Sequence, residues 1–138
     1  VQIKGKYLLG ICLGMQLLFS VSEEGENVTG LNLINGRIVK FDFNDNLKLK
    51  VPHIGWNEVF GDDISSMPIF HDIEPYSNFY FLHSYHATIG EEITCAYTDY
   101  GYNFVSAIQM NNIYGTQFHP EKSQKKGLRL LSNFIRLK

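Results

Sequence analysis

The sequence of 138 residues predicts an α/β fold, and three observations support this prediction. An apolar segment at residues 6–11 leads directly into a helix-like run at 13–20, which indicates a buried strand followed by a helix. Residues 78–118 hold several segments rich in aromatic and β-branched residues, which are typical of strands. The last segment, from residue 123 or 124 to Leu137, has the spacing of an amphipathic helix. Because no internal repeat, low-complexity tract or linker interrupts the chain, we expect one domain over residues 1–138.

The first strand and helix meet at Cys12, which has a glycine two residues to each side, Gly10 and Gly14. This is the G-x-nucleophile-x-G pattern of a nucleophile elbow, with cysteine in place of serine. Glycines are expected there because the turn is too tight for Cβ atoms near the nucleophile. A helix N-terminus behind Cys12 would favour the thiolate, and the N–H of Leu13 would lie where it can stabilise an oxyanion. A cysteine among apolar residues is also often a small buried hydrophobic residue, so the pattern alone does not decide between a catalytic and a structural role for Cys12.

The next part of the chain alternates between polar loops and one strand. Residues 22–27 are polar and indicate a loop, whereas residues 36–41 alternate in polarity and predict a half-exposed strand. Residues 44–46 carry a turn signal. Because residues 51–57 combine proline, glycine and tryptophan, we predict an ordered loop without regular structure there.

The remainder of the chain is dense in predicted strands. They are expected at residues 78–85, 94–98, 104–110 and 113–118, with a hairpin turn at Asn111 and Asn112 between the last two. In the final helix, four apolar residues give one predicted buried stripe: Leu128, Leu131, Phe134 and Ile135.

Composition excludes several classes of function. The formal net charge is −2 and no basic run stands out, which argues against a surface that neutralises nucleic-acid phosphates. The two cysteines, Cys12 and Cys95, are far apart in the sequence, so there is no disulfide framework and we expect a reducing, cytoplasmic location. No apolar stretch is long enough to span a bilayer. The five histidines are dispersed without metal-ligand spacing, so we expect no metal and no cofactor.

A candidate base and a carboxylate follow the strand predicted at residues 113–118. His119 would be presented at the strand end, where a sheet offers side chains to a ligand. Pro120 stops the strand, and Glu121 can reach the imidazole and fix its tautomer. A histidine can deprotonate a thiol, and a carboxylate can hold that histidine in place. Together with Cys12, these residues form the parts of one nucleophilic mechanism.

At these residues the sequence resembles the class I (triad-type) glutamine amidotransferases, and among them the glutaminase subunits of imidazole glycerol phosphate synthase in histidine biosynthesis. The elbow at 10–16 and the His-Pro-Glu segment at 119–121 are specific to the class. The segments at 52–57 and 79–85 narrow the resemblance to these subunits. The resemblance covers nearly the whole chain and includes four further stretches: 22–25, 30–31, 36–37 and 115–123.

The resemblance implies an open mixed sheet of the flavodoxin-like type, with the elbow strand inside the sheet. Members of the family carry an N-terminal segment ahead of that strand, which supplies central strands and a glycine-containing loop that completes the oxyanion hole. Nothing in the sequence matches that segment, and the chain begins with Val1. We therefore expect the chain to be the C-terminal portion of a longer family domain and to lack normal glutaminase activity on its own.

The resemblance also implies a reaction. Cys12 attacks the side-chain carbonyl of glutamine, His119 takes the thiol proton and later protonates the leaving ammonia, and Glu121 orients His119. Water then hydrolyses the glutamyl thioester to glutamate. The residues expected at the glutamine are Leu13, Gln16, His83, Ser84 and Tyr85. Alternatively, Gln16 would be a surface residue of the helix, and His83 and Tyr85 would pack in the core or on a strand face.

The resemblance further implies a partner, because in this family the ammonia passes to a cyclase subunit, a (β/α)8 barrel, within a heterodimer. The positions matching Trp56, Tyr80 and Lys122 face that barrel, and aromatic residues with a cation are typical of interface hot spots. A large aromatic in the loop predicted at 51–57 would need such an external contact. The alternative is that the two aromatics belong to the core and the lysine is an ordinary solvated charge.

Three other functions remain open from the sequence. The chain is similar to paralogues that supply ammonia to sugar amidotransferases in surface-polysaccharide synthesis. A catalytically silent interaction subunit would keep the fold without using Cys12, His119 and Glu121. A general cysteine hydrolase of peptide or ester bonds would turn over without any partner.

Overall fold

The computed structural model describes residues 4–44 and 47–138. Its strands are β1 Leu8–Ile11, β2 Phe19–Ser22, β3 Val28–Thr29, β4 Ile34–Lys40, β5 His53–Val59, β6 Ser77–His83, β7 Tyr85–Ile89, β8 Thr94–Asp99, β9 Asn103–Met110 and β10 Ile113–Thr116. The α-helices are α1 Leu13–Gln16 and α2 Gln124–Ile135. Short 3-10 turns cover Ile64–Ser66, Pro68–Phe70 and Pro120–Lys122.

Most strands join one open mixed sheet in the order β1-β10-β9-β7-β4-β2-β3, with β8 also paired to β9. The pairs β1–β10 and β2–β4 are parallel, and the other pairs of this sheet are antiparallel. β5 and β6 form a separate antiparallel pair. The predicted α/β fold with an open mixed sheet is confirmed. Strand β1 has β10 on one side, and within the described residues no strand pairs with its other edge.

Both faces of the sheet are covered. Neighbouring residues of β9 point to opposite faces, so Phe104 and Val105 belong to different hydrophobic clusters. The cluster around Phe104 includes Phe81 of β6 and Leu130 of α2, whereas the cluster around Val105 includes Met15 of α1. The β5–β6 pair and α2 therefore cover one face, and the elbow segment covers the other.

The helix after Cys12 is much shorter than the predicted run at 13–20. α1 ends at Gln16, and Phe19–Ser22 forms β2, which pairs with β4. Residues 19–22 alternate apolar and polar, which is a strand pattern, and Phe19 is fully buried. The strand pattern prevails because burying Phe19 within the sheet outweighs the weak local preference for helix.

The loop predicted at residues 51–57 is wrong, because His53–Val59 forms β5. This strand pairs residue by residue with β6, so that Trp56 lies opposite Tyr80 and Gly55 lies opposite Phe81. The proline that suggests a loop lies before β5, and Gly55 is tolerated within the strand because β5 has a single partner strand in the described structure and one face open to solvent.

The strand predicted at 78–85 divides into two. β6 ends at His83 and β7 begins at Tyr85, and the two strands belong to different sheets. Ser84 is the corner between them. Two sheets can therefore present the residues on either side of this corner to the same cleft.

The hairpin turn at Asn111 and Asn112 is confirmed, because β9 and β10 are antiparallel and Asn111 has a φ of 55°. The strand after it ends at Thr116, before the predicted end. The turn signal at residues 44–46 includes Asp45 and Asn46, which lie outside the described residues.

Helix α2 is confirmed, but the predicted apolar stripe is wrong for two of its members. Leu128 is 62% exposed and Ile135 is 78% exposed. The buried face is formed by Gly127, Leu130 and Asn133, and the amide of Asn133 donates to the carbonyls of residues 69 and 71. A glycine and a hydrogen-bonded amide thus replace large apolar residues at this contact. Neither described α-helix is long and apolar enough to cross a membrane.

Candidate active site

The elbow at Cys12 has the expected backbone geometry. Cys12 has a φ of 52° and a ψ of −108°, in the left-handed range of φ that costs energy for a residue with a Cβ. Its N–H donates to the Thr116 carbonyl at 2.7 Å, which fixes the elbow to the end of β10. A Cβ on Gly10 would lie 2.6 Å from the Gly14 carbonyl oxygen, so the close turn requires glycine there. A Cβ on Gly14 would meet open space, so the steric reason predicted for both glycines applies only to Gly10.

The thiol of Cys12 does not have the lowered pKa that the sequence suggested. Burial raises its pKa above the ordinary value, and the nearby carboxylates of Glu121 and Glu24 raise it further. The Leu13 amide and the Gln117 side chain oppose this shift by hydrogen bonding to the sulfur. The predicted helix dipole is weak because α1 is a single turn. Cys12 is therefore a thiol at neutral pH, and a base is needed to make it a nucleophile.

The imidazole of His119 and the carboxylate of Glu121 form a pair at the end of β10. His119 Nδ1 lies 2.6 Å from Glu121 Oε1, so Nδ1 carries a proton and donates, and Nε2 is left to accept one. The main chain holds His119 in place, since its N–H donates to the Tyr80 carbonyl and its carbonyl accepts from the Ser123 hydroxyl. The carboxylate thus fixes the tautomer that a base at Cys12 would need.

Parallel pairing brings the thiol and this pair to one edge of the sheet. β1 and β10 align Ile11 with Thr116, so Cys12 and Gln117 both follow the carboxyl ends of neighbouring parallel strands. The thiol hydrogen is directed at the Leu82 carbonyl, 3.8 Å from the sulfur, and Gln117 Nε2 lies 3.7 Å from the same sulfur. Neither of these two contacts involves His119.

A cleft of about 260 Å³ opens beside the thiol. All the residues expected at the glutamine line it, together with Cys12 and two residues that the sequence reasoning missed. The lining residues are Cys12, Leu13, Gln16, Glu24, Leu82, His83, Ser84 and Tyr85. A volume of this size suits a small molecule of the dimensions of an amino acid.

Sequence reasoning missed Glu24, Leu82 and Gln117. Glu24 lies in the segment 22–25, which is part of the resemblance, so that segment could have indicated a residue of the cleft. Leu82 acts through its backbone carbonyl, which no sequence pattern marks. Gln117 is completely buried, and its amide connects Gln16 to the thiol, a link that depends on the register of β10 against β1.

Two buried histidines form a pair at the cleft wall, where His83 lines the cleft and His53 lies behind it. His53 Nδ1 is 2.9 Å from His83 Nε2, and His83 Nδ1 is 2.8 Å from the Tyr85 carbonyl oxygen. Burial lowers the pKa of His53 to about 4 and that of His83 to about 3. Both imidazoles are therefore neutral at neutral pH.

These lowered pKa values predict that the fold loses stability in acid. Below about pH 6.5, the unfolded chain binds protons at His53 and His83 that the native chain does not bind. The free energy of unfolding should fall by up to about 1.4 kcal/mol per pH unit for each histidine as the pH drops towards 4. Urea unfolding between pH 7 and 5 measures this slope.

Replacement of His53 tests the origin of this slope. His53→Asn should reduce the slope by the contribution of one histidine, up to about 1.4 kcal/mol per pH unit. Equal slopes for the wild type and His53→Asn would contradict the prediction.

The outer face of the β5–β6 pair is exposed beside the catalytic edge. Trp56 is 48% exposed and packs edge-on against Tyr80, with ring centroids 5.9 Å apart. The Tyr80 backbone bonds both His119 and Ser123, and the exposed Lys122 lies between these two residues in the sequence. Trp56 is therefore neither a core residue nor a loop residue.

Comparisons with known proteins identify the family of this chain. The chain matches the family Glutamine amidotransferase class-I over residues 2–137. It is 46% identical over 137 residues to "Imidazole glycerol phosphate synthase subunit HisH 1" of Campylobacter jejuni strain RM1221, covering 99% of this chain and 66% of that protein. It is 46% identical over 129 residues to "Imidazole glycerol phosphate synthase subunit HisH" of Methanocaldococcus jannaschii, covering 94% of this chain and 63% of that protein. The chain thus spans about two thirds of the length of these curated relatives.

A solved structure supports the fold. The crystal structure of a glutamine amidotransferase from Thermotoga maritima superposes with a TM-score of 0.57, at 19% identity, over 97% of this chain and 49% of that one. At this identity the likeness concerns the fold alone.

Proposed function

The chain belongs to the class I glutamine amidotransferase family, and on that premise we propose that it is a glutaminase that hydrolyses L-glutamine to glutamate and ammonia. One observation supports the proposal: the elbow cysteine opens into a small cleft, and a histidine–carboxylate pair follows the neighbouring parallel strand at the same edge of the sheet. A silent interaction subunit would have no need of this arrangement.

In the proposed reaction, His119 Nε2 takes the proton of the Cys12 thiol, and the sulfur attacks the side-chain carbonyl carbon of glutamine. The N–H of Leu13, which is directed at the sulfur, donates to the oxyanion as it forms. When the C–N bond breaks, the histidine proton passes to the leaving group and ammonia departs. Water then adds to the glutamyl thioester with His119 as base, which releases glutamate and restores the thiol. Glu121 stabilises the imidazolium at both stages.

The charge of the cleft favours a free amino acid as the substrate. Glu24 lines the cleft with Cys12, and its carboxylate suits the α-ammonium group of glutamine. A glutamine residue within a peptide has no such group. This argues against a general peptide hydrolase.

We also propose that the ammonia passes to a cyclase subunit that makes imidazole glycerol phosphate in histidine biosynthesis, in the cytoplasm. The names of the relatives support this partner, and the free thiols of Cys12 and Cys95 suit a reducing compartment. The (β/α)8 barrel of the cyclase would dock on Trp56, Tyr80 and Lys122. Docking there would cover the end of the cleft and keep the ammonia from solvent.

Charge reversal at Lys122 tests this docking surface. In the full-length protein that contains this sequence, called the full chain from here on, Lys122→Glu should weaken cyclase binding by about tenfold. It should lower cyclase-stimulated turnover as well, because one cation at the interface becomes an anion. Unstimulated turnover and the melting temperature should stay the same, since Lys122 is exposed and lies outside the cleft. Titration calorimetry with the purified cyclase measures the affinity.

Lys4→Glu is the matched control. It makes the same charge change at an exposed lysine that precedes β1, at the opposite end of that strand from Cys12. Its affinity for the cyclase should equal that of the wild type. If Lys122→Glu behaved like Lys4→Glu, the docking surface would lie elsewhere.

The glutaminase activity itself is tested by substrate comparison. The full chain in complex with the cyclase should release glutamate from L-glutamine, and it should release much less from Nα-acetylglutamine, which lacks the α-ammonium group. Equal turnover of the two compounds would overturn the assignment to free glutamine, and turnover of neither would overturn the glutaminase proposal.

A further inference from the structure

The β5–β6 pair has two faces with different roles. Residues Ile54, Trp56 and Leu82 point outward and are exposed, whereas His53 and His83 point inward, lie directly opposite each other and are buried. The strands that carry the proposed docking surface therefore also carry a buried histidine pair against the cleft.

The hydrogen bonds of this pair have only one consistent arrangement of protons. The Tyr85 carbonyl can only accept, so His83 Nδ1 carries the proton and donates to it. The Nε2 of a neutral His83 must then accept, so the proton comes from Nδ1 of His53. His53 Nε2 in turn accepts from the Asn57 amide, whose nitrogen also donates to the Asp99 carbonyl. From Asn57 through His53 and His83 to the Tyr85 carbonyl, each residue therefore donates to the next one along the row.

The row continues from the Tyr85 carbonyl to the nucleophile. The amide nitrogen of Gln16 donates both to that carbonyl, at 3.1 Å, and to Gln117 Oε1, at 3.0 Å. This arrangement turns the Gln117 amide nitrogen towards the Cys12 sulfur. Both amide hydrogens of Gln16 are thereby committed, and its orientation depends on where the Tyr85 carbonyl lies.

We propose that His53 is a positioning residue for the active cleft: by donating to His83 it holds the Tyr85 carbonyl, and through that carbonyl it fixes the amides of Gln16 and Gln117 against the Cys12 thiol. His53 is not among the residues that line the cleft, so it acts through these groups and not by touching substrate. The proposal rests on the glutaminase function and adds a residue to it. It also follows that the cleft wall and the outer docking surface share one rigid pair of strands.

Replacing His53 separates positioning from packing. In His53→Phe the ring is kept but the donor is lost, so the His83 Nε2 atom is left buried without a partner. In His53→Asn the amide nitrogen is the same number of bonds from Cα as Nδ1, so the donor to His83 is kept. We expect kcat/KM for glutamate release to fall by about 10- to 100-fold in His53→Phe, with most of the loss restored in His53→Asn. The control His71→Asn, at an exposed histidine, should match the wild type.

A second readout does not depend on activity. Nitrogen-15 NMR of the wild type should show scalar coupling across the hydrogen bond between His53 Nδ1 and His83 Nε2. The Nδ1 proton of His83 should exchange with solvent at least about tenfold faster in His53→Phe than in the wild type or His53→Asn, because the ring is no longer held from both sides.

The outcomes distinguish the positioning role from the proposed function. If the full-length protein with its cyclase released no glutamate, the glutaminase function would fail, while the NMR measurements would still test the histidine pair. Wild-type kcat/KM in a folded His53→Phe would overturn the positioning role. So would an equal loss in His53→Phe and His53→Asn, or the absence of coupling between the two rings.

Discussion

Replacing Cys12 with alanine should abolish glutamate release, with a loss of at least about 10⁴-fold in kcat, because no other group at the elbow can form the thioester. Cys12→Ser should be nearly as inactive, since a serine hydroxyl is a much weaker nucleophile than a thiolate. The fold should persist in both variants, because the sulfur makes only weak hydrogen bonds, to Leu82, to Gln117 and to the N–H of Leu13. Initial rates of glutamate formation and thermal melting measure the two effects.

The second cysteine provides the control. Cys95 is buried in β8, and burial raises its pKa to about 11, so its thiol is unreactive at neutral pH. Cys95→Ala should lose some stability through the space it leaves but should keep wild-type kcat. A Cys12→Ala variant that released glutamate at a near wild-type rate would refute the assignment of the nucleophile.

Replacing His119 with alanine should lower kcat by about 10²–10⁴-fold. The reason is the raised pKa of Cys12, which leaves the thiol protonated unless a base removes the proton. The remaining activity should also change its pH dependence. It should rise about tenfold per pH unit towards the pKa of the thiol, because only direct ionisation then supplies the thiolate.

Glu121→Gln makes the matching test of the carboxylate. It keeps an acceptor for the Nδ1 proton of His119 but removes the charge, so its effect should be smaller than that of His119→Ala. An effect of Glu121→Gln larger than that of Cys12→Ala would mean that the roles are wrongly assigned. A residual rate in His119→Ala that did not change with pH would argue against His119 as the base.

Local patterns in the sequence predict those parts of the site that are formed by neighbouring residues. The elbow around Cys12 and the segment from His119 to Glu121 each need only neighbouring residues, so spacing and residue type were sufficient. Their meeting at one edge depends on the parallel pairing of β1 with β10, which no local pattern shows. The exact partners of the thiol, Leu82 and Gln117, depend on the register between distant strands and were not predictable.

Two predictions fail because the contacts that decide them join residues distant in the sequence. Pro52 and Gly55 predict a loop at 51–57, whereas the partner strand that stabilises β5 is not visible from that segment. The hydrogen bond between His53 and His83 also depends on that pairing. The apolar pattern of α2 predicts the wrong buried face because Gly127 and Asn133 are not typical core residues. Close approach to the Pro120 carbonyl and two amide hydrogen bonds decide that face, and neither contributes to an apolar pattern.

The central claim is that Cys12 is the nucleophile of a site built for glutamine, and covalent labelling tests it most directly. The full chain with its cyclase would be incubated with 6-diazo-5-oxo-L-norleucine, an electrophilic glutamine analogue, and analysed by intact mass and peptide mapping. We predict one adduct per chain, at Cys12, with Cys95 unmodified and with protection by excess L-glutamine. No adduct, an adduct at Cys95, or labelling that L-glutamine does not slow would contradict the claim.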